Sequence, residues 1–134
     1  GRNTAIVTCD VGASVGEAIA LLAEKRIGAL PVLENGAVAG IFSERDVIYG
    51  LKRQGPGLLD CRVGEVMTKP AVTAQPDMQV LSALSLMTRR RIRHLPVVQD
   101  GQLIGFVSIG DLVKHRIDRI ESEAEALRTY IQTA

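Results

Sequence analysis

Residues 27–47 read "IGALPVLENGAVAGIFSERDV", and residues 92–112 read "IRHLPVVQDGQLIGFVSIGDL". Each stretch runs through Leu-Pro-Val to a turn pair, Asn35-Gly36 in the first and Asp100-Gly101 in the second, and then into another apolar run. Asn-Gly and Asp-Gly supply the positive φ angles that a two-residue hairpin requires, so each stretch predicts two antiparallel strands and a tight turn. Both end on glycine, two hydrophobes, serine, a two-residue gap and aspartate: "GIFSERD" at 40–46 and "GFVSIGD" at 105–111. The serine opens a helix in each.

The recurrence extends outward in both directions. Residues 5–48 align on 70–113 at a constant offset of 65 without a gap, with 14 identities in 44 positions, among them Val15/Val80, Arg26/Arg91, Leu30/Leu95, Pro31/Pro96, Ser43/Ser108 and Asp46/Asp111. A fixed period of this kind marks a repeated structural unit. Upstream of the hairpin, each unit predicts a short strand (Ala5 to Thr8; Ala71 to Ala74) leading into a helix. In the first copy Ser14-Val15-Gly16-Glu17 is a capping-box pattern. Val15, Ala18, Ile19 and Leu22 then share one helical face, as do Val80, Ala83, Leu84 and Met87. The order is strand, helix, strand, strand, helix, twice.

Such a unit carries a small sheet covered on one side only, and two copies can bury the open faces against each other. The expected fold is mixed α/β (α+β): two pseudo-twofold βαββα repeats packed sheet to sheet, plus a C-terminal helix. The expected organisation is repeat 1 over 1–54, a linker over 55–62 signalled by Gly55-Pro56-Gly57, repeat 2 over 63–116 and a helical extension over 117–134. Pseudosymmetry creates two equivalent clefts between repeats, a common location for small ligands.

Composition narrows the function classes. Hydrophobic residues make up 46%, charged residues 23% and aromatics 3%, a globular balance with an aliphatic core. The longest purely apolar run, Ala18 to Ala23, is far short of the roughly 20 residues of a membrane span. No signal-type apolar region follows the N-terminus, so a cytoplasmic protein is expected. Cys9 and Cys61 stand apart with no CxxC pairing or nearby histidines, which argues against a disulfide or a metal site. His94 and His115 lack partners at triad spacing, and neither a Walker loop nor a dinucleotide fingerprint occurs, so no catalytic residue is assigned and a non-enzyme is expected.

The paired stretches, together with "VGEVMTKPAVTA" at 63–74, resemble cystathionine β-synthase (CBS) domains in tandem, the Bateman module, and specifically small stand-alone CBS-pair proteins. The resemblance spans about Ala5 to His115. It implies a regulatory or sensor module that binds an adenine nucleotide (AMP, ADP or ATP), with NAD or S-adenosylmethionine as alternatives and no metal required. A constitutive dimerisation scaffold without a ligand is the competing reading.

In such a pair, the serine and aspartate of each closing phrase face a ribose: Ser43 with Asp46, and Ser108 with Asp111. A carboxylate is a pure acceptor and vicinal hydroxyls offer it two donors. The same Ser-x-x-Asp is equally a helix N-cap with an acid in the first turn. By the family's arrangement, Arg93 and His94 would face the phosphate of the nucleotide held by Asp46. Gly28 and Ala29 hold the matching positions for Asp111, with Arg45 as a compensating charge, which ranks the Asp46 cleft first. Adenine would rest on Ile41, Ala71, Val72 and Pro96 in the first cleft, and on Ile6, Val7, Pro31 and Phe106 in the second. All of these are also ordinary strand-core residues.

Arg89 to Arg93 form a basic run that suits a helix C-terminus. The sparse aromatics give no stacking platform for nucleic acid, which is not an expected partner. In the tail, Val113, Ile117, Ile120, Ala124, Leu127 and Ile131 are spaced by four, three, four, three and four, a heptad seam. It predicts either a helix laid over its own repeat or a homodimer, the latter consistent with the family's habit, alongside an unidentified protein target.

Overall fold

Local chemistry sets the elements. In the computed structural model, which describes residues 6–133 and side chains as far as Arg128, the first helix α1 (Val15–Lys25) begins at a complete capping box. The Glu17 amide donates to Ser14 Oγ at 3.1 Å and the Ser14 amide donates to Glu17 Oε1 at 3.0 Å. These bonds hold the Glu17 carboxyl below its usual range. The helix stops at Arg26, which takes the left-handed conformation (φ 54°), while the Ile27 amide reaches back to the Leu22 carbonyl. That is the Schellman closure. One period later α4 (Val80–Arg90) stops in the same way, with Arg91 at φ 55° and the Ile92 amide bonded to the Met87 carbonyl. The matched pair Arg26 and Arg91 therefore sits at equivalent helix ends.

The predicted hairpins are both present. Strands β2 (Ala29–Glu34) and β3 (Ala37–Ser43) pair antiparallel across Asn35-Gly36, with φ 52° and 83° at the turn. Strands β4 (His94–Gln99) and β5 (Gln102–Ser108) form a two-stranded sheet across Asp100-Gly101, with φ 52° and 78°. The leading strands are shorter and later than the sequence suggests. In the first repeat β1 is only Cys9–Asp10, parallel to β2 with Cys9 opposite Val32; Ile6 to Thr8 precede it without strand pairing, and Ala5 lies outside the described residues. In the second repeat the strand shrinks to one bridge, Ala74 opposite Val97. Both pairings keep the offset of 65, so register is conserved where strand length is not. A β-prone stretch becomes a strand only as far as it finds a partner.

The protein is mixed α/β, and its residues gather into two compact units, Gly1–Pro76 with Pro96–Phe106 and Asp77–Leu95 with Val107–Ala134. In the first, Val15, Ala18 and Leu22 of α1 meet Leu30, Val32 and Phe42 of the sheet, together with Leu58, Val63 and Val66. Val63 and Val66 belong to the single-turn helix α3 (Val63–Val66). The segment read as a linker is ordered. Gly55–Asp60 forms a 3-10 helix that drives Leu58 fully into this core, against Gly50 of α2 (Glu44–Gln54). In the second unit α4 packs on α5 (Ile109–Thr133), with Ala83 and Met87 buried. Helix α5 runs unbroken through position 116, where the sequence suggests a division between repeat and tail. No helix among the described residues is long and apolar enough to cross a membrane.

Candidate ribose-binding carboxylates

Strand β3 hands directly to α2 at Ser43, and the helix's first turn brings Asp46 back beneath it. The Ser43 amide donates to Asp46 Oδ2 at 2.9 Å, and the Ser43 hydroxyl donates to the same oxygen at 3.3 Å. The other oxygen, Oδ1, accepts from the Thr68 hydroxyl at 2.8 Å. Asp46 is 7% exposed and is the one buried charged side chain among the described residues. A buried carboxylate is tolerated where donors satisfy it. Here three do.

Thr68 arrives through a local ladder. Its amide donates to the Ile41 carbonyl at 2.9 Å and its carbonyl accepts from the Ile41 amide at 3.0 Å. That approach needs glycine at position 40, because a Cβ there would stand 2.6 Å from the Thr68 carbonyl oxygen and 2.7 Å from Met67 Sδ. Thr68 is the residue that sequence reasoning missed. It lies 22 positions from Asp46, beyond any local spacing rule, and the available signal was the glycine of the closing phrase, whose missing side chain implies a close backbone neighbour.

The second copy has the same turn in a different setting. The Ser108 amide donates to Asp111 Oδ2 at 2.9 Å and the Asp111 amide donates to Ser108 Oγ at 3.0 Å, a reciprocal cap at the start of α5. Asp111 is exposed. At Gly105, a Cβ would meet only Val97, at an ordinary 3.5 Å. So the structure brings Ser43 to Asp46 and Ser108 to Asp111 as expected, and it makes the two carboxylates unlike.

The remaining sequence-selected residues fall into three settings. Ala29, Pro31 and Pro96 are buried within their strands, and the Pro96 carbonyl accepts from the Ala74 amide at 2.9 Å. Ile6, Val7, Ile41, Ala71, Val72 and Phe106 are half-buried, with Val7 packed against the first core. Arg45 is exposed in the first turn of α2; Arg93 is exposed, with its carbonyl accepting from the Ile109 amide at 2.8 Å; His94 is half-buried at the start of β4. Arg89 and Arg90 are exposed in the last turn of α4, where cations complement the helix dipole. Cys9 and Cys61 are free thiols, and no cluster of metal-ligating side chains occurs among the described residues.

Comparison with known proteins gives one family. The family model "CBS domain" matches twice, over residues 3–53 and 63–118. A mitochondrial CBS domain-containing protein of Arabidopsis thaliana, CBSX3, is 38% identical over 129 residues, covering 92% of this chain and 63% of that protein. The chain thus spans somewhat less than two thirds of that plant relative's length. Among solved structures, the CBS-domain protein ATU1752 of Agrobacterium tumefaciens aligns with a TM-score of 0.79 at 40% identity, covering 84% of each chain. The structure of CBSX2 in complex with AMP aligns with a TM-score of 0.74 at 27% identity, covering 84% of this chain and 88% of the other.

Proposed function

The chain belongs to the CBS-domain family, with the domain present twice, and from that premise we propose that it is a non-catalytic regulatory module that binds an adenine nucleotide (AMP, ADP or ATP) and signals as a homodimer in the cytoplasm. The observation that carries the reading is Asp46, a buried carboxylate oriented by donors at the end of a strand, in the phrase that recurs at Asp111. The AMP complex of the similar CBSX2 supports the ligand class.

In this reading Ser43 and Asp46 hold one ribose and Ser108 and Asp111 another, each charge-assisted bond contributing about 1.5 to 3 kcal/mol. Arg93 and His94 serve the phosphate of the first nucleotide and Arg45 that of the second. Half-buried Ile41, Ala71 and Val72, with Ile6, Val7 and Phe106 in the second set, provide the apolar surface for adenine. Binding shifts the packing of the pair only by the difference in affinity between two arrangements, and an unidentified protein target reads the result.

A dimerisation scaffold is the second reading. It is favoured by the exposed apolar residues of α5, Val113, Ile117, Ile120 and Leu127, which ligand binding leaves unexplained.

Thermal melting of nucleotide-stripped protein with AMP, ADP, ATP, NAD and S-adenosylmethionine separates the two. A ligand at about 100 times its Kd adds roughly 2.7 kcal/mol of stability, and the shift disappears in Asp46→Ala. A scaffold melts at one temperature with every ligand, while Asp46→Ala and Asp111→Ala merely melt earlier through loss of a cap worth about 1 kcal/mol.

A further inference from the structure

We propose that Thr68 is the positioning residue of the Asp46 carboxylate, fixing its plane so that it presents one defined acceptor site to a ribose diol; this rests on the ribose-binding role proposed above for Asp46. An ionised carboxylate has about four lone-pair sites. Two on Oδ2 are taken by the Ser43 amide and hydroxyl, and one on Oδ1 by Thr68. The remaining site on Oδ1 lies beside the Thr68 hydroxyl. Because donors from two separate segments grip both oxygens, the carboxylate cannot rotate about its last bond without breaking a contact.

The chain contains its own control. Asp111 caps α5 through Ser108 alone, with no donor from a distant segment among the described residues. Capping therefore does not require the third bond that Asp46 has. The means of delivering that bond is also confined to the first copy. Gly40 admits the 67–68 segment to within a distance that any side chain would forbid, whereas Gly105 has ordinary room. Thr68 itself is exposed although its hydroxyl points to a buried partner.

A second hydroxyl of a diol can be received only if an existing donor leaves. The Ser43 hydroxyl, at 3.3 Å, holds the longest of the three bonds, while Thr68 at 2.8 Å holds the shortest. Serine gives way on binding and threonine stays. Thr68 thus acts through Asp46 on ribose recognition without touching the ligand.

The test is calorimetric titration of the full chain and its Thr68→Val and Thr68→Ser variants with AMP and with 2′,3′-dideoxy-AMP. Thr68→Val should weaken AMP about tenfold, the loss of one charge-assisted bond's worth of orientation. It should leave the dideoxy compound unchanged, and Thr68→Ser should restore AMP binding. Equal weakening of both compounds, or of neither, overturns the proposal. If the wild-type chain does not distinguish the two compounds, the ribose-binding role itself fails. Thr68 is then judged by melting alone: Thr68→Val must lower the melting temperature when Asp46 is present and not when it is Ala, and equal loss in both backgrounds overturns the positioning role.

Discussion

At the scale of single residues, burial has chemical consequences beyond the carboxylates. Cys9 lies half-buried against the first core, and burial, reinforced by the charges of Asp10 and Glu17, pushes its thiol from about 9.0 up to about 11. Thiolate is the nucleophile, so alkylation of Cys9 by iodoacetamide should be slow at pH 8 and keep accelerating past pH 10. A rate that levels off near pH 9 would show an unshifted thiol. The sign for stability follows from proton linkage. A folded pKa raised above the unfolded one contributes stability that is complete below about pH 9 and is lost as pH rises through about 11. Ser43, Asp46, Ser108 and Asp111 were legible in the sequence because serine, aspartate and their spacing recur as one phrase. Thr68 was not, since an isolated threonine far along the chain has no periodicity to announce it. Ala29, Pro31 and Pro96 are buried in their strands, and strand alternation does not by itself distinguish a wall of a ligand site from core.

At the scale of elements, the hairpins and α1 followed from turn and cap chemistry that is written locally, and α4 from its apolar face and the repeat. The segment 55–60 did not. Gly-Pro-Gly signals a break in helix α2, which the structure contains at Gly55, but says nothing about the two leucines that follow. Leu58 is fully buried and Leu59 is 48% exposed, so the segment is half core and half surface. Gly50 makes room for it: a Cβ there would stand 2.5 Å from Leu58 Cδ1. Leu58→Ala should therefore cost about 2 to 5 kcal/mol, the range for a buried leucine, read as a lower urea midpoint at unchanged slope. A flexible tether at this position would tolerate the change within about 0.5 kcal/mol.

At the scale of the whole molecule, apolar surface remains on both units. Ile48, Tyr49 and Leu51 are exposed on α2, and Val113, Ile117, Ile120 and Leu127 on α5; Ile131, the last residue of the heptad seam, lies outside the described side chains. The alternative in which the tail helix buries its seam on its own repeat leaves Ile117 and Ile120 half-exposed, at 49% each. Apolar stripes of this length mark association surfaces. Sedimentation should find wild-type dimers and monomers for Ile117→Lys with Ile120→Lys, at unchanged helix content. A variant that remains dimeric would move the interface to α2, and a monomeric wild type would remove the dimer from the proposal. The two copies of "S-x-x-D" carry a last consequence at this scale. One carboxylate is sheltered and held by three donors, while its counterpart stands open to water. On the proposed reading, a doubled chain with unlike halves fills in sequence, and its occupancy climbs over a wider span of ligand concentration than a single site's. Duplication followed by divergence then yields a dial in place of a switch.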